Sequence, residues 1–386
     1  MKRILLTGGR APATLDLARH LHHAGHEVFV AESVRYPICR GSRAIRELIM
    51  VPPPRTEHRA FTQALCRIAD EKHIDLLVPT CEEVFYVSRH LDHLRKYVQV
   101  FCDEFQTLEA LHNKWTFSQT GAMRSVRTPK TDLISSIDDL DLSRGVTDRS
   151  VYKPVYSRFA SKTLISPQRK YLERIEPSDN FPWIRQDRIQ GTEFCTFSIV
   201  QNGRLNAHVC YRPAHRAGQS SGFFFEPEQH PNIENYIERF VAQCSFTGHI
   251  GFDFIEDDSG QLYVLECNPR LTSGVHLYRP SSGLAGALLS EVDAQRPMPD
   301  TQSSMLALAM VLIGFPQAAV SSTFRKTLSD FGRASDVVSR PDDRYPGVGQ
   351  IVSLAYYLMR ALAHGISPMD ASTRDIEWDG EFLDDF

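Results

Sequence analysis

The segment GFDFIEDDSGQLYVLECNPRLTSG, residues 251–274, constrains this chain more than any other stretch. Over 250–255, Phe252 and Phe254 alternate with small or polar positions, and 261–266 reads as a second strand (Leu262, Tyr263, Val264, Leu265) after the turn signal Asp257, Asp258, Ser259, Gly260. A two-residue turn at Ser259 and Gly260 sets Asp253 directly opposite Glu266. Glu266 and Asn268 share a face because strand side chains alternate, and a slip of two residues changes the partner without changing the face. Three oxygen-bearing side chains are therefore expected to converge. Carboxylates at the end of an apolar strand are costly to bury unless a positive group joins them, and hard oxygen ligands suit Mg²⁺ held between protein and phosphates. A magnesium–nucleotide site is the reading that follows; the competing one is that these residues mark solvated hairpin ends.

A chain of 386 residues with 42% hydrophobic and 23% charged side chains has material for two to four packed units. Its 43 basic and 47 acidic residues leave a net charge of -4, which gives no general attraction to nucleic acid or to an anionic membrane. The start MKRILLTGGR lacks the apolar core of a secretory signal, so a cytoplasmic protein is expected. The eight cysteines show no CxxC pair and are expected to be reduced thiols. The most apolar segment, 305–315, is too short to cross a bilayer and reads as a helix buried on all sides.

Strands at 3–6, 27–31, 76–79 and 98–102, with helices at 12–24, 59–72 and 83–97, spell a doubly wound parallel-sheet α/β domain. The turn Thr7, Gly8, Gly9, Arg10 lacks the GxGxxG spacing, but Glu32 after the second strand keeps a nicotinamide-dependent oxidoreductase open as an alternative. Beyond Lys114 the character changes. Strands at 151–155, 183–188, 193–200 and 204–211 and the hairpin predict antiparallel sheets, with a helix over 232–244. From about residue 291 the chain reads as mostly helical, notably at 305–315 and 349–364.

Four segments, NKWTF (113–117), VYKPVYSRFASK (151–162), QDRIQGTEF (186–194) and GFDF…LECNPR (251–270), resemble in order and spacing the ATP-grasp superfamily of carboxylate–amine ligases, which includes carbamoyl-phosphate-synthase-like and L-amino-acid-ligase-like members. The resemblance spans about residues 1–290. It implies an α/β plus α+β architecture: an N-terminal α/β domain (1–112), two subdomains that clasp ATP (113–185, and 186–290 with the metal site), and a mostly helical C-terminal extension (291–386).

Carried over by position, Asp253, Glu266 and Asn268 look like magnesium ligands, with Glu266 bridging two ions and Mn²⁺ able to stand in. Lys114 and Lys153 look like the lysines that meet the ATP phosphates. A lysine on a strand among Val151, Tyr152 and Val155 needs an anion, unless it snorkels to water; Lys114 also fits an ordinary helix start. The backbone of Gln186, Asp187, Arg188 and Ile189 resembles the hinge that reads adenine, and Glu193 the acid that takes the ribose hydroxyls. Relatives commonly have Glu where Gln186 stands, and an amide oxygen still accepts a hydrogen bond. The loop after Lys153 has no glycine, so Ser157, Ser161 and Lys162 are expected to hold phosphate through side chains.

The reaction implied is attack of a carboxylate on the γ-phosphoryl group of ATP, giving an acyl phosphate that an amine then resolves, so small-molecule carboxylates and amines are the expected partners. Catalytic roles fall to Lys153 and to Arg270, whose guanidinium suits an acyl phosphate, against a structural salt bridge. The polar stretch 212–222, with Arg212 and Arg216, reads as a loop between strand and helix that grips the substrate carboxylate. Glu82 and Glu83, just past the strand at 76–78, suit a substrate ammonium group or a plain helix start. His22 and His26 form an i, i+4 pair without a third ligand, which reads as a solvated helix end. Activation of bicarbonate, suggested by the NPR sequence at 268–270, and a non-catalytic ATP-sensing module stay open. A homodimer through the C-terminal helices is compatible with the sequence.

Overall fold

The computed structural model describes residues 1–386 apart from 124, 141–148, 158–161, 217–221, 291–294 and 385–386. The first unit is a five-stranded parallel sheet: β1 (Arg3–Thr7), β2 (Glu27–Glu32), β3 (Glu47–Met50), β4 (Leu76–Val78) and β5 (Gln99–Val100), in the order β3-β2-β1-β4-β5. Ile4, Leu5 and Leu6 are buried on both faces, as a central parallel strand requires. Around it lie α1 (Pro12–His23), α2 (His58–Glu71), α3 (Val84–Arg89), α4 (Leu91–Leu94) and α5 (Phe105–His112). The single helix expected over 83–97 is broken at His90, which leaves helical geometry and pairs its ring with that of His58. Strand β3 was not anticipated; ELIM is short and half-exposed, too weak an alternation to read.

The second unit begins with α6 (Lys114–Thr120) and β6 (Val126–Arg127) and continues through β7 (Thr131–Ile134), β8 (Ser150–Pro154), β9 (Leu164–Ile165), α7 (Arg169–Leu172) and β10 (Trp183–Asp187). Strands β7, β10, β8 and β9 form an antiparallel sheet in that order, over a small core of Ile134, Leu140, Leu172, Ile175 and Trp183.

The third is an eight-stranded sheet built on β11 (Thr192–Gln201), β12 (Arg204–Arg216), β13 (Gly222–Glu228), β14 (Gly248–Glu256) and β15 (Leu262–Asn268), with α8 (Pro231–Gln243) packed on it. Strand β6 adds to one edge. After α9 (Leu284–Leu289), the C-terminal extension adds β16 (Ser304–Met305) and β17 (Ser335–Asp336) to the other. The stretch 212–222 is thus not a loop leading to a helix: Arg212 to Arg216 continue β12, Gly222 opens β13, and 217–221 lie outside the described residues. Pro213 and its polar neighbours imitate a loop because they sit at irregularities in the strand pairing.

The extension carries α10 (Ala307–Ala309), α11 (Phe315–Val320), α12 (Phe324–Arg333), α13 (Tyr345–His364) and α14 (Pro368–Thr373). Segment 305–315 is not one helix buried on all sides. Between α10 and α11 it widens into a π-turn over Met310–Gly314, and Val311 and Leu312 are 48% and 53% exposed. Pro316 has no N–H to return to the preceding turn, which accounts for the break.

Two buried polar networks tie the extension to the first domain. Asp16 on α1 meets Arg19, Arg340 and His276 at 3.1, 2.9 and 2.7 Å. Burial works against its charge, yet Arg340, His276 and Arg19 together hold its carboxyl well below the usual range. Past α14 the chain runs back over the N-terminal domain as a strap. Arg10 bridges Glu32 and Asp375, Arg55 meets Asp379 at 2.8 Å, the Tyr86 hydroxyl donates to the Glu377 carbonyl at 2.7 Å, and Trp378 is buried.

Candidate active site

Asp253 lies opposite Glu266 and Gly251 opposite Asn268 on β14 and β15. The expected pairing is present, but not by the expected turn. The strands close at Glu256 and Leu262, leaving a connection over 257–261 in which Asp257 Oδ1 accepts from the backbone of Ser259 and Gln261 at 3.0 and 2.9 Å. That longer loop alone would set Leu265 against Asp253. A bulge restores the phase, since Asp253 pairs with Glu266 while Phe254 pairs with Val264, so that Leu265 has no partner.

The three side chains form one partly exposed patch. Asn268 Nδ2 donates to Asp253 Oδ2 at 3.2 Å, and Arg270 Nη2 donates to Asn268 Oδ1 at 3.1 Å. Arg270 Nε stands 3.6 Å from Oε1 of buried Glu82, which brings the N-terminal domain to the edge of the site.

Two buried lysines reach Glu266 from the second unit. Lys153 Nζ, from β8, is 3.7 Å from Glu266 Oε2, and Lys114 Nζ, from the first turn of α6, is 3.8 Å from the same oxygen. Asn113 caps α6 by accepting from Thr116 N at 2.9 Å, and Lys114 Nζ also donates to the Ser157 carbonyl at 2.9 Å. The electrostatics follow from this crowding. Burial opposes ionisation of Glu266, but the two ammonium groups prevail and hold its carboxyl low. Asp253, half-buried and facing the Glu266 charge, is pushed up by desolvation and by that charge. Burial also lowers the Lys153 ammonium, partly offset by Glu266. Two acids and an amide converging beside two lysines fit a divalent cation bound together with a polyphosphate.

Other expected residues are distributed unevenly. Gln186 is buried on the central strand of its sheet, its Nε2 donating to Thr131 Oγ1 at 3.2 Å. The N–H groups of Asp187 and Arg188 donate within the sheet region, to the Lys130 and Arg149 carbonyls, both at 2.8 Å, and Ile189 lies just beyond β10. Glu193 is exposed and paired with Arg216, while Arg212 points to solvent. Glu83 does what a helix-start residue does: its Oε1 accepts from Thr7 Oγ1, Thr80 N and Cys81 N at 2.6, 3.0 and 2.9 Å, joining the ends of β1 and β4. The carbonyl of Ser157, rather than its hydroxyl, engages Lys114; Lys162 is exposed, and Ser161 lies outside the described residues.

The nicotinamide alternative meets an obstacle. Glu32, the residue that would take a ribose, is 2% exposed and accepts from Arg10 N and Nη2 at 2.9 and 2.5 Å. His22 is exposed and His26 accepts from Lys2 N at 3.2 Å; among the described residues no group of three His, Cys, Asp or Glu is placed to hold a metal. Sequence reasoning did not single out Asn113, although Asn before a helix is a cap signal, nor Cys195, which pairs in register with Asp253. It also passed over Tyr156 and Trp378, whose rings meet beside Lys114.

A family model described as ATP-grasp domain matches residues 111–274. No curated protein sequence matches the chain. Among solved structures the fold is similar to that of N5-carboxyaminoimidazole synthetase from Staphylococcus aureus, with TM-score 0.61 and 14% identity over 82% of this chain and 85% of that chain. It is also similar to L-amino acid ligase from Bacillus licheniformis, with TM-score 0.58 and 15% identity over 78% of each chain. A third is the biotin carboxylase domain of Hydrogenobacter thermophilus 2-oxoglutarate carboxylase in complex with MgADP, ADP and bicarbonate, with TM-score 0.59 and 12% identity over 78% of this chain and 73% of that chain. Residues 111–274 therefore form an ATP-grasp domain, and the chain shares its fold with these structures.

Proposed function

We propose that this protein uses MgATP to activate a carboxylate as an acyl phosphate and joins it to an amine, forming an amide or peptide bond on amino-acid or other small biosynthetic substrates. The observation that carries this reading is the convergence of Lys114 and Lys153 on Glu266, beside Asp253 and Asn268. A carboxylate oxygen attacks the γ-phosphorus, the bond to the β-phosphate bridging oxygen breaks, and ADP leaves. The amine nitrogen then attacks the acyl carbon, phosphate departs with the bonding pair, and the amine proton passes to solvent. No covalent nucleophile from the chain is needed. The work is positioning and charge neutralisation.

In this reading Lys114 and Lys153 neutralise the phosphates, and Asp253, Glu266 and Asn268 would hold magnesium, two ions, or manganese. Magnesium supplies Lewis-acid stabilisation of the phosphoryl oxygens. Arg270, already oriented by Asn268 and Glu82, faces the acyl phosphate. Gln186 and Ile189 border the adenine, Glu193 takes the ribose, and Arg212 and Arg216 draw in the substrate carboxylate. A phosphate-release screen over pairs of carboxylic acids and amines tests the proposal; MgATP binding without turnover on any pair would leave only a sensing module. Likeness in fold to N5-carboxyaminoimidazole synthetase and to a carboxylase domain determined with bicarbonate supports a second reading, in which bicarbonate is the acid. ADP formation that depends on bicarbonate and on no organic acid would select it.

A homodimer fits α13. Val348, Ile351, Met359 and Leu362, 68%, 59%, 62% and 85% exposed, project from the face opposite buried Pro346, Ser353 and Ala361, with no charged residue among them. Such an apolar stripe suits a second copy of the same helix, and sedimentation velocity on wild type and Ile351→Glu tests it. Among the described residues no helix is long and apolar enough to cross a membrane, and none of the eight cysteines forms a disulfide, in keeping with a cytoplasmic protein.

A further inference from the structure

We infer that Trp378 and Gly380 of the C-terminal strap are positioning residues for Lys114, acting through Tyr156; this rests on the reading of Lys114 as a phosphate-binding residue. The Trp378 ring, 2% exposed, meets the Tyr156 ring edge-on at 4.9 Å and packs against Phe85 and Phe105 at 5.0 and 5.3 Å. Its Nε1 donates to the Glu381 carbonyl at 2.9 Å, folding the strap around the indole. Between them stands Gly380, at φ 90°, where an added Cβ would lie 2.5 Å from Tyr156 Cε2. The strap backbone therefore rests directly on the Tyr156 ring, and both the close approach and the left-handed backbone require glycine there.

Tyr156 is the link from that contact to the site. Its hydroxyl accepts from Asn113 Nδ2 at 2.9 Å, and Asn113 is the cap of the helix that begins with Lys114. Lys114 N donates to the Val155 carbonyl at 3.2 Å and Lys114 Nζ to the Ser157 carbonyl at 2.9 Å, so the residues on either side of Tyr156 hold both ends of the lysine. The strap is anchored at its far side by Arg10 on Asp375 at 2.6 Å and Arg55 on Asp379 at 2.8 Å. A segment more than 200 residues away in sequence thus sets where the ammonium group stands, and misplacement of a binding group by about 1 Å can cost on the order of 10²-fold.

The test is a double-mutant cycle read as MgATP affinity by titration calorimetry on the full-length protein, which needs no knowledge of the other substrates. Trp378→Ala and Gly380→Ala should each weaken MgATP binding by about tenfold, Trp378→Phe should restore most of it, and Trp378→Ala should add nothing once Lys114→Ala is present. Multiplicative losses in the double variant, or unchanged affinity in folded Gly380→Ala, would overturn the inference while leaving the site assignment intact. A wild-type protein that does not bind MgATP would remove the site assignment and this inference with it. Thermal melts alongside identify a Trp378→Ala variant that fails to fold, in which case Gly380→Ala and its cycle with Lys114→Ala decide.

Discussion

The β14–β15 hairpin and the C-terminal strap both lead to Lys114 but reach it by different physics. The hairpin is local: Asp253, Glu266 and Asn268 meet because strands alternate and a short connection folds them together. The strap is remote: it meets Tyr156 from more than 200 residues further along the chain. The hairpin supplies charge, the strap supplies placement. Chemistry at this site therefore depends on a contact that itself carries no chemistry.

The sharpest way to break that contrast is Glu266→Ala. Loss of the central acid should lower phosphate release by about 10³-fold or more with circular dichroism unchanged, and wild-type turnover in this variant would show that the hairpin does not supply the charge. On the strap side, Trp378→Ala should cost about 3–5 kcal/mol of stability in urea unfolding, because a large ring leaves a full cavity among Phe85, Phe105 and Tyr156. Lys153→Ala should come next, raising the KM for ATP by about 10- to 100-fold with a smaller fall in kcat, since one of two phosphate contacts remains.

The smallest effect concerns the foot of the hairpin. His249 on β14 is buried between Phe101 and Phe197, and its ring nitrogens hydrogen-bond to none of the described residues, so burial holds its pKa down at about 3 from an ordinary 6.5. The unfolded chain binds that proton below about pH 6.5 while the folded chain refuses it until about pH 3, so stability is full above the first value and falls as pH drops between them. The slope is about 1.4 kcal/mol per pH unit from this one group. His249→Phe should remove that share of the acid sensitivity, seen as a shallower dependence of the urea midpoint between pH 6 and 4.

How much could be read from sequence follows the same division. The shared face of Asp253, Glu266 and Asn268 was legible because period two is a local property, and it survived a wrong turn only because the bulge at Leu265 corrected a loop longer than two residues. Lys153 was legible as a charge on an apolar strand, and the parallel pairing of β1 with β2 and β4 from the alternation of strands and helices. The stretch 212–222 misled because Pro213 and polar neighbours at an irregular strand end share a loop's composition. Segment 305–315 misleads because apolar composition does not fix burial: Val311 and Leu312 face out. Glu83 could not be separated from a substrate ligand until Thr7 was seen to donate to it. Nothing in the neighbourhood of Trp378 pointed to residue 156, since packing partners that far apart leave no periodic trace.

The bulge has a consequence for anyone who edits this chain. Ser259→Asn, a routine stabilising change that would make Asn-Gly at 259–260 a tight two-residue reversal with Asp258 facing Gln261, would advance the second strand by one position and, with Leu265 still bulged, present Cys267 instead of Glu266 to Asp253. Loop length and strand irregularity are therefore a matched pair here. A designer, or a lineage accumulating insertions, has to alter both together or forfeit the site.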